Sequence, residues 1–264
     1  MLKGALHVHS TYSDGDFTLQ ELRELFLSEE CAFVCMSDHA EYFNSSSIQT
    51  YAQDLERHSD GRFCFVMGLE YECDRRMHIL GYGASLLATT RDPQSVIQHI
   101  ASQGAVSVIA HPRDEFFPWI EGFAVLPQGI ETWNSKYDGR YAPRPATFAL
   151  LQRLRQRAPE MHAFYGQDLH WKKQFCGLCV RLDCNSSETA AILAALAEGK
   201  YTAQKDGVEL PSSGVLSSEV LAEFERRHVR SHRMRRLLKN GKLTLDRLGI
   251  QIPDSLKAQL RRIF

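Results

Sequence analysis

The chain has 264 residues, 44% of them hydrophobic, and 31 Lys and Arg nearly balance 32 Asp and Glu. That length and apolar share are enough to bury one large core, which excludes a disordered or fibrous chain, and barrels of this size commonly form a single domain. Seven cysteines, an odd number, suit reduced thiols of a cytoplasmic protein better than a disulfide scaffold. No apolar run nears membrane-spanning length, and the first residues enter a strand directly, with no signal peptide and no membrane partner expected.

The first predicted strand runs into His7-Val8-His9, followed by Ser10-Thr11-Tyr12-Ser13-Asp14-Gly15. Side chains of a strand repeat every two residues, so His7 and His9 face one way while Leu6 and Val8 face the other. Asp14 lies in the turn beyond, where a carboxylate reaches the same pocket and Gly15 lets the backbone come close. Thr18-Leu19-Gln20-Glu21 is a capping box that opens an amphipathic helix to about Glu30. Phe33 to Met36 then runs into Ser37-Asp38-His39, and Phe63 to Met67 runs through Gly68 and Leu69 into Glu70.

His78 stands just before the apolar Ile79-Leu80-Gly81-Tyr82. Asp92-Pro93 supplies an N-cap and a first-turn proline for a helix stopping at Gly104. Val106 to Ala110 ends at His111-Pro112, and Pro143 to about Arg157 carries Phe148, Leu151 and Leu154 at helical spacing. Ala163-Phe164-Tyr165 leads to Gly166-Gln167-Asp168-Leu169-His170, repeating the i, i+2 spacing of the first strand. Ser187 to Glu198 reads as an alanine-rich helix ended by Gly199. Strands that deliver polar residues at their C-terminal ends, with helices between, predict an α/β class with a mostly parallel, closed sheet.

The motifs HxHSxxSDG, SDH, a strand-terminal Glu, a further His, AHP and GxDxH follow one another in this order. This pattern resembles the PHP family, the metal-dependent phosphoesterases named after polymerases and histidinol phosphatase, over residues 1 to about 213. The resemblance implies a distorted (β/α)7 barrel holding two or three divalent metals at the C-terminal ends of its strands. It implies that His7, His9, Glu70 and Asp168 hold one metal, that Glu70 bridges to a second held with His78 and His111, and that Asp14, His39 and His170 hold a third. Asp14 stands where many relatives have a histidine, which makes that third site harder. The run from Ile130 to Arg140 is similar to the family's strand and loop before the last barrel helices, with Glu131 and Asn134 bracing the site.

The donor set has its own logic. Six histidines and three carboxylates suit Mn, Zn or Fe better than Ca or Mg, which prefer all-oxygen shells. A water held between two such ions becomes a nucleophile at neutral pH, and the ions clamp the attacking and leaving oxygens of a phosphoester. Asp38 and Ser10 are placed to orient the imidazoles from behind. A phosphorylated substrate calls for cations, and Arg113, Lys136, Arg140 and Arg144 lie on the loops after the strands; Arg113, two residues beyond His111, is the foremost.

Other signals are weaker. Cys176-Gly177-Leu178-Cys179, with Cys184 nearby, reads as a zinc knuckle, a redox pair or buried thiols, and the lack of a partner CxxC favours thiols on a strand. Gly81-Tyr82-Gly83 lacks the rest of a dinucleotide fingerprint. Charge is uneven: residues 219 to 264 carry twelve Lys or Arg against five Asp or Glu. Pro211-Ser212-Ser213-Gly214 marks a boundary between a barrel over 1–213 and a basic helical extension over 214–264. In the extension, Ser218 to about Lys239 reads as a long helix, a break follows at Asn240-Gly241, and shorter helices cover Leu243 to Leu248 and Pro253 to Phe264. The run from His228 to Arg236 is dense enough in cations to bind nucleic acid or an acidic partner, or else packs on the acidic barrel. Three functions are open at this stage: hydrolysis of a small phosphomonoester such as a nucleotide or sugar phosphate, a nuclease using the same cluster, or a non-catalytic scaffold.

Overall fold

A computed structural model describes residues 1–247. In chain order the first half comprises β1 (Leu2–Val8), α1 (Leu19–Ser28), β2 (Phe33–Met36), β3 (Asp38–His39), α2 (Ser47–Arg57), β4 (Cys64–Val66), β5 (Gly68–Glu72), β6 (His78–Tyr82) and α3 (Pro93–Ala101). There follow β7 (Val106–Ala110), α4 (Phe117–Glu121), β8 (Gly129–Asn134), α5 (Pro145–Leu154), β9 (His162–Gly166), β10 (Cys179–Leu182), α6 (Thr189–Ala197), β11 (Tyr201–Lys205), β12 (Val208–Pro211) and α7 (Ser218–Arg247).

The strands form two six-stranded sheets, in the orders β12-β11-β10-β1-β2-β4 and β3-β5-β6-β7-β8-β9. They are mixed, not mostly parallel: β5, β6 and β7 are antiparallel neighbours, and so are β1, β10, β11 and β12. Chain length between strands explains two of these pairings. Only Cys73 to Met77 joins β5 to β6, too few residues for a helical crossover. Asp206 and Gly207, at φ 48° and 78°, form the two-residue left-handed turn that folds β11 onto β12.

The sheets meet on two sides. Ser37 alone separates β2 from β3, and Met67 alone separates β4 from β5, while β2 pairs with β4 and β3 with β5, both in parallel. Opposite, the Gln167 N–H donates to the Leu6 carbonyl (2.9 Å), the His9 N–H to Leu169 (3.0 Å) and the Leu169 N–H to His7 (3.2 Å). The segment after β9 is thereby fastened to β1.

Helices cover the strands as their apolar faces require. The Thr18 capping box is formed at α1, and the Asp92 carboxylate accepts from the Ser95 N–H (2.8 Å) at the start of α3. Gly199, at φ 66°, ends α6 in the left-handed conformation expected beyond a helix C-terminus. Buried Ile48, Tyr51 and Leu55 give α2 the i, i+3, i+7 stripe of a core-facing helix. Among the described residues no helix is long and apolar enough to cross a membrane. Six cysteines are buried and Cys184 is half-buried, all free; the CxxC consists of buried thiols, with Cys179 starting β10.

α7 continues through Asn240 and Gly241 without the expected break. Glycine in a helix costs only about 1 kcal/mol relative to alanine, which the surrounding Leu, Lys and Arg helix formers offset. The helix packs on α5, with Phe224 buried and Val220 and Leu221 half-buried against the core, whereas Met234 and Leu237 farther along are exposed. The expected last helix, Pro253 to Phe264, lies outside the described residues.

Candidate metal centre

The site begins with a departure from plain alternation. His7 adopts φ 60°, and the register of β1 against β2 shifts between Ala5 and Val8. Such a bulge re-aims a side chain, and here the fully buried rings of His7 and His9 lie 5.2 Å apart. Buried Asp38 holds the turn that follows, accepting from the Ser10 N–H (2.8 Å), the Ser10 hydroxyl (2.8 Å) and the Ser13 hydroxyl (2.6 Å). Asp38 and Ser10 thus pin the loop that carries His9 and Asp14. Gly15 closes this turn, where a Cβ would sit 2.7 Å from the carbonyl carbon of His9.

Glu70, buried on β5, is the hub. Its Oε1 lies 2.8 Å from His78 Nδ1 and 3.1 Å from His111 Nε2. Its Oε2 faces the other three, at 3.3 Å from His7 Nε2, 3.2 Å from His9 Nε2 and 3.5 Å from His39 Nδ1. Asp168 Oδ1 is 3.1 Å from His170 Nδ1 and 3.9 Å from the Nε2 atoms of both His7 and His9. Asp14 Oδ1 stands 3.2 Å from His170 Nε2 and 3.6 Å from His39 Nε2.

All nine donors named from the sequence come together. Their ligand atoms make four compact groups: His9, Asp14, His39 and His170; His7, His9 and Asp168; His7, Glu70 and His111; and His39, Glu70 and His78. The partition differs from the one the resemblance implies in that His9 also joins Asp14, His39 and His170, Glu70 is absent from the group of His7, His9 and Asp168, and the implied second set is split. His78 and His111 share Glu70 Oε1 but fall in separate groups, His78 with His39 and His111 with His7.

The residues fit divalent cations. Both ring nitrogens of His9 are buried without a well-formed hydrogen bond, Nε2 standing 3.2 Å from Glu70 Oε2; buried polar atoms are almost always satisfied, and a metal on one of these nitrogens supplies a partner that the protein does not. His7, His111 and Asp168 hold φ values of 60°, 27° and 51°, left-handed conformations that cost free energy and concentrate at functional sites. The next layer explains how they are kept there. The Glu131 carboxylate accepts from His7 Nδ1 (2.8 Å), from the His111 N–H (2.8 Å) and from Asn134 Nδ2 (2.9 Å), and the same amide reaches Asp168 Oδ2 (3.0 Å). Gly166 at the end of β9 makes room, since a Cβ there would lie 1.8 Å from Glu131 Oε1.

The electrostatics are those of protons competing for a crowded interior. Burial alone would lower the His7 pKa, but Glu131, Asp168 and Glu70 around it raise it well above the usual imidazole value. Burial lowers His9 to about 4. Burial opposes the charged forms of Glu70 and Asp168, yet the adjoining imidazoles hold both carboxyls well below the ordinary range.

The four cations have different surroundings. Lys136 Nζ lies inside the cluster, 3.1 Å from Asp168 Oδ1 and 3.2 Å from His170 Nε2. Arg113 pairs with Glu115 at 3.1 Å and lines a cleft of about 310 Å³ shared with His78, His111 and Tyr137. Arg144 is spent on structure, donating to Asp138 (2.6 Å), Asp114 (2.7 Å) and the Pro112 carbonyl (2.5 Å). Burial pushes the Asp138 carboxyl up to about 6 against the pull of this guanidinium. Arg140 donates to the Phe175 carbonyl at 3.3 Å.

Sequence reasoning missed an aromatic rim. Tyr137 lies tilted against His111 (4.4 Å between centroids), Trp171 lies 5.7 Å from His170, and Tyr42 lies 6.1 Å from His39. All three rings are at least half exposed. The available signal was proximity: Tyr42 and Trp171 follow donors by three residues and one.

No family model matches the chain. A 41-residue stretch is 39% identical to the DNA polymerase/3'-5' exonuclease PolX of Bacillus subtilis, covering 16% of this chain and 7% of that protein. The chain thus spans less than a tenth of that curated relative's length. Among solved structures it resembles a two-domain protein from Bacteroides vulgatus containing a predicted PHP-like metal-dependent phosphoesterase. That match has a TM-score of 0.60 and 15% identity over 85% of this chain and 69% of the other. It also resembles PsfC from Pseudomonas syringae, with a TM-score of 0.53 and 14% identity over 89% and 98% of the two chains. The fold is that of the PHP-like metal-dependent phosphoesterases.

Proposed function

We propose that the chain is a metal-dependent phosphoesterase that hydrolyses a small phosphomonoester. The observation carrying this reading is Glu70, whose two carboxylate oxygens each face a different set of imidazoles, the arrangement a bridging ligand requires. His7, His9, Glu70 and Asp168 would hold one ion, His78 and His111 a second with Glu70, and Asp14, His39 and His170 a third, with Mn, Zn or Fe the best match to the donors. When bound, such ions supply Lewis acidity and lower the pKa of water toward neutrality.

The chain's own groups supply the rest. Glu131 accepts a hydrogen bond from His7 Nδ1–H, which leaves Nε2 turned toward Glu70, the tautomer a ligand needs. Lys136 and Arg113 neutralise the phosphate, Lys136 from within the cluster and Arg113 from the cleft. Arg140 and Arg144 act one step back, by holding the loops that carry the others. The strand positions β1, β2 with β3, β4 with β5, β6, β7, β8 and β9 read as the seven staves of a distorted (β/α)7 barrel, with residues 214–264 as an appended unit. The free thiols suit a reducing, cytoplasmic setting.

The test is metal analysis coupled to aryl phosphate hydrolysis, with chelated protein reloaded with Mn, Zn or Fe. Turnover is expected to return with metal, and His9→Ala is expected to lose at least a hundredfold in rate together with bound metal while keeping its circular dichroism. Undiminished turnover without metal sinks the reading.

A second reading, a nuclease on nucleic acid ends, draws on α7. At 100° per residue, Arg226, Arg230 and Arg233 share an exposed face opposite buried Phe224. Salt-sensitive oligonucleotide binding lost on replacing these three arginines with alanine favours it.

A further inference from the structure

The cleft beside the cluster is not a plain anion pocket. Its walls are Met77, Phe116, Ala110 and Tyr137, with Arg76 and Arg113 among them and the Glu72 carboxylate at its edge. The Glu72 carboxylate is already paired with Arg91, which leaves Arg76 and Arg113 to face an anion, but the apolar walls would go unused by a sugar phosphate. At about 310 Å³ the space takes a fused aromatic ring. One wall is already aromatic, with the Tyr137 ring 4.4 Å from His111 between centroids and tilted 37° to it. Across it the Arg113 guanidinium lies 4.3 Å over the Phe116 ring and donates to the Arg75 carbonyl at 3.1 Å. Tyr137 is 53% exposed, a cost that a stacking partner removes.

We infer that this cleft binds the base of a nucleoside phosphate, stacked on Tyr137, so that the phosphate attached to that nucleoside lies at His78 and His111. The inference rests on the phosphoesterase reading and names its substrate class. Both residues belong to the cleft and to the donor groups, so ring and ester are addressed by adjoining surfaces. Arg113 serves both, stacking through its plane and offering N–H donors at its edge.

Base stacking on an aromatic residue commonly contributes a tenfold or greater gain in affinity. Calorimetry on the metal-free protein should therefore give adenosine monophosphate at least a tenfold lower Kd than ribose 5-phosphate. Tyr137→Ala should collapse that ratio to near one, and Tyr137→Phe should restore it. A short single-stranded oligonucleotide with a terminal phosphate, run in parallel, tells whether the ring is taken from a free nucleotide or a strand end. Equal binding of ribose 5-phosphate and the nucleotide, or a ratio that survives Tyr137→Ala, overturns the inference. The aryl phosphate assay is independent of this ratio: its failure removes the phosphoesterase reading, whereas a lost ratio with intact aryl phosphate turnover removes only the base slot.

Discussion

The donor cluster and the cationic rim beside it are built on the same loops by different means. In the cluster most donors are buried, Asp14 being the exposed one, and they are held by buried groups, as Glu131 holds His7, the His111 backbone and Asn134. On the rim the arginines are partly solvated and pair with surface carboxylates, as Arg113 with Glu115 and Arg144 with Asp114, although Arg144 also reaches inward to buried Asp138. The interior therefore has one arrangement, fixed before any ligand arrives, whereas the rim can re-pair. Chemistry that tolerates no misplacement belongs to the first region, and recognition of what is brought to it belongs to the second.

Breaking the interior brace should have the largest effect. Glu131→Gln keeps size but removes the charge that fixes the His7 tautomer, and metal affinity is expected to fall about 10- to 100-fold, measured by competition with a chromogenic chelator. An unchanged affinity would mean that His7 is positioned by the bulge alone. Next comes Arg144→Ala, which leaves buried Asp138 without its cation and is expected to cost about 2 kcal/mol in urea unfolding. A loss of substrate affinity at full stability would instead move Arg144 from the scaffold to the substrate.

The interior also predicts how the metal-free protein responds to pH. His7 and His78, with raised values, add stability below about pH 6.5, the unfolded value, and lose it as pH rises through their folded values. His9 runs the other way: depressed to about 4, it removes stability as pH falls from about 6.5 toward 4. Glu70 and Asp168, with depressed values, contribute above about pH 4 and lose that contribution as pH falls through their folded values. The melting temperature of chelated protein should peak near pH 6.5, and a flat profile from pH 5 to 8 would contradict the assigned couplings. The smallest effect is expected at the surface, where Arg113→Ala should change stability by under about 0.5 kcal/mol while weakening phosphate binding.

Legibility in the sequence followed the same division. Strand ends carrying polar residues announced where the nine donors would meet, because a buried strand fixes the direction of whatever ends it. Glu131 and Asn134 were traceable through the family pattern. What stayed hidden depended on partners remote in the chain. Nothing near Arg144 signals that Asp114 and Asp138 will take its guanidinium. The antiparallel β6 was masked by a strand pattern that looks the same in either direction. The bulge at His7 was invisible because its cause is the register against β2, and the helical run of α7 past Gly241 depended on a small propensity cost that local motifs overstate.

The left-handed backbone at His7, His111 and Asp168 carries a consequence for how such a protein can drift. Glycine at His7 or His111 would relieve torsional cost and, for the empty protein, could raise heat resistance while deleting a ligand. Selection for robustness and selection for the donors therefore pull on these positions in opposite directions, and a lineage released from its chemistry should lose its imidazoles there first.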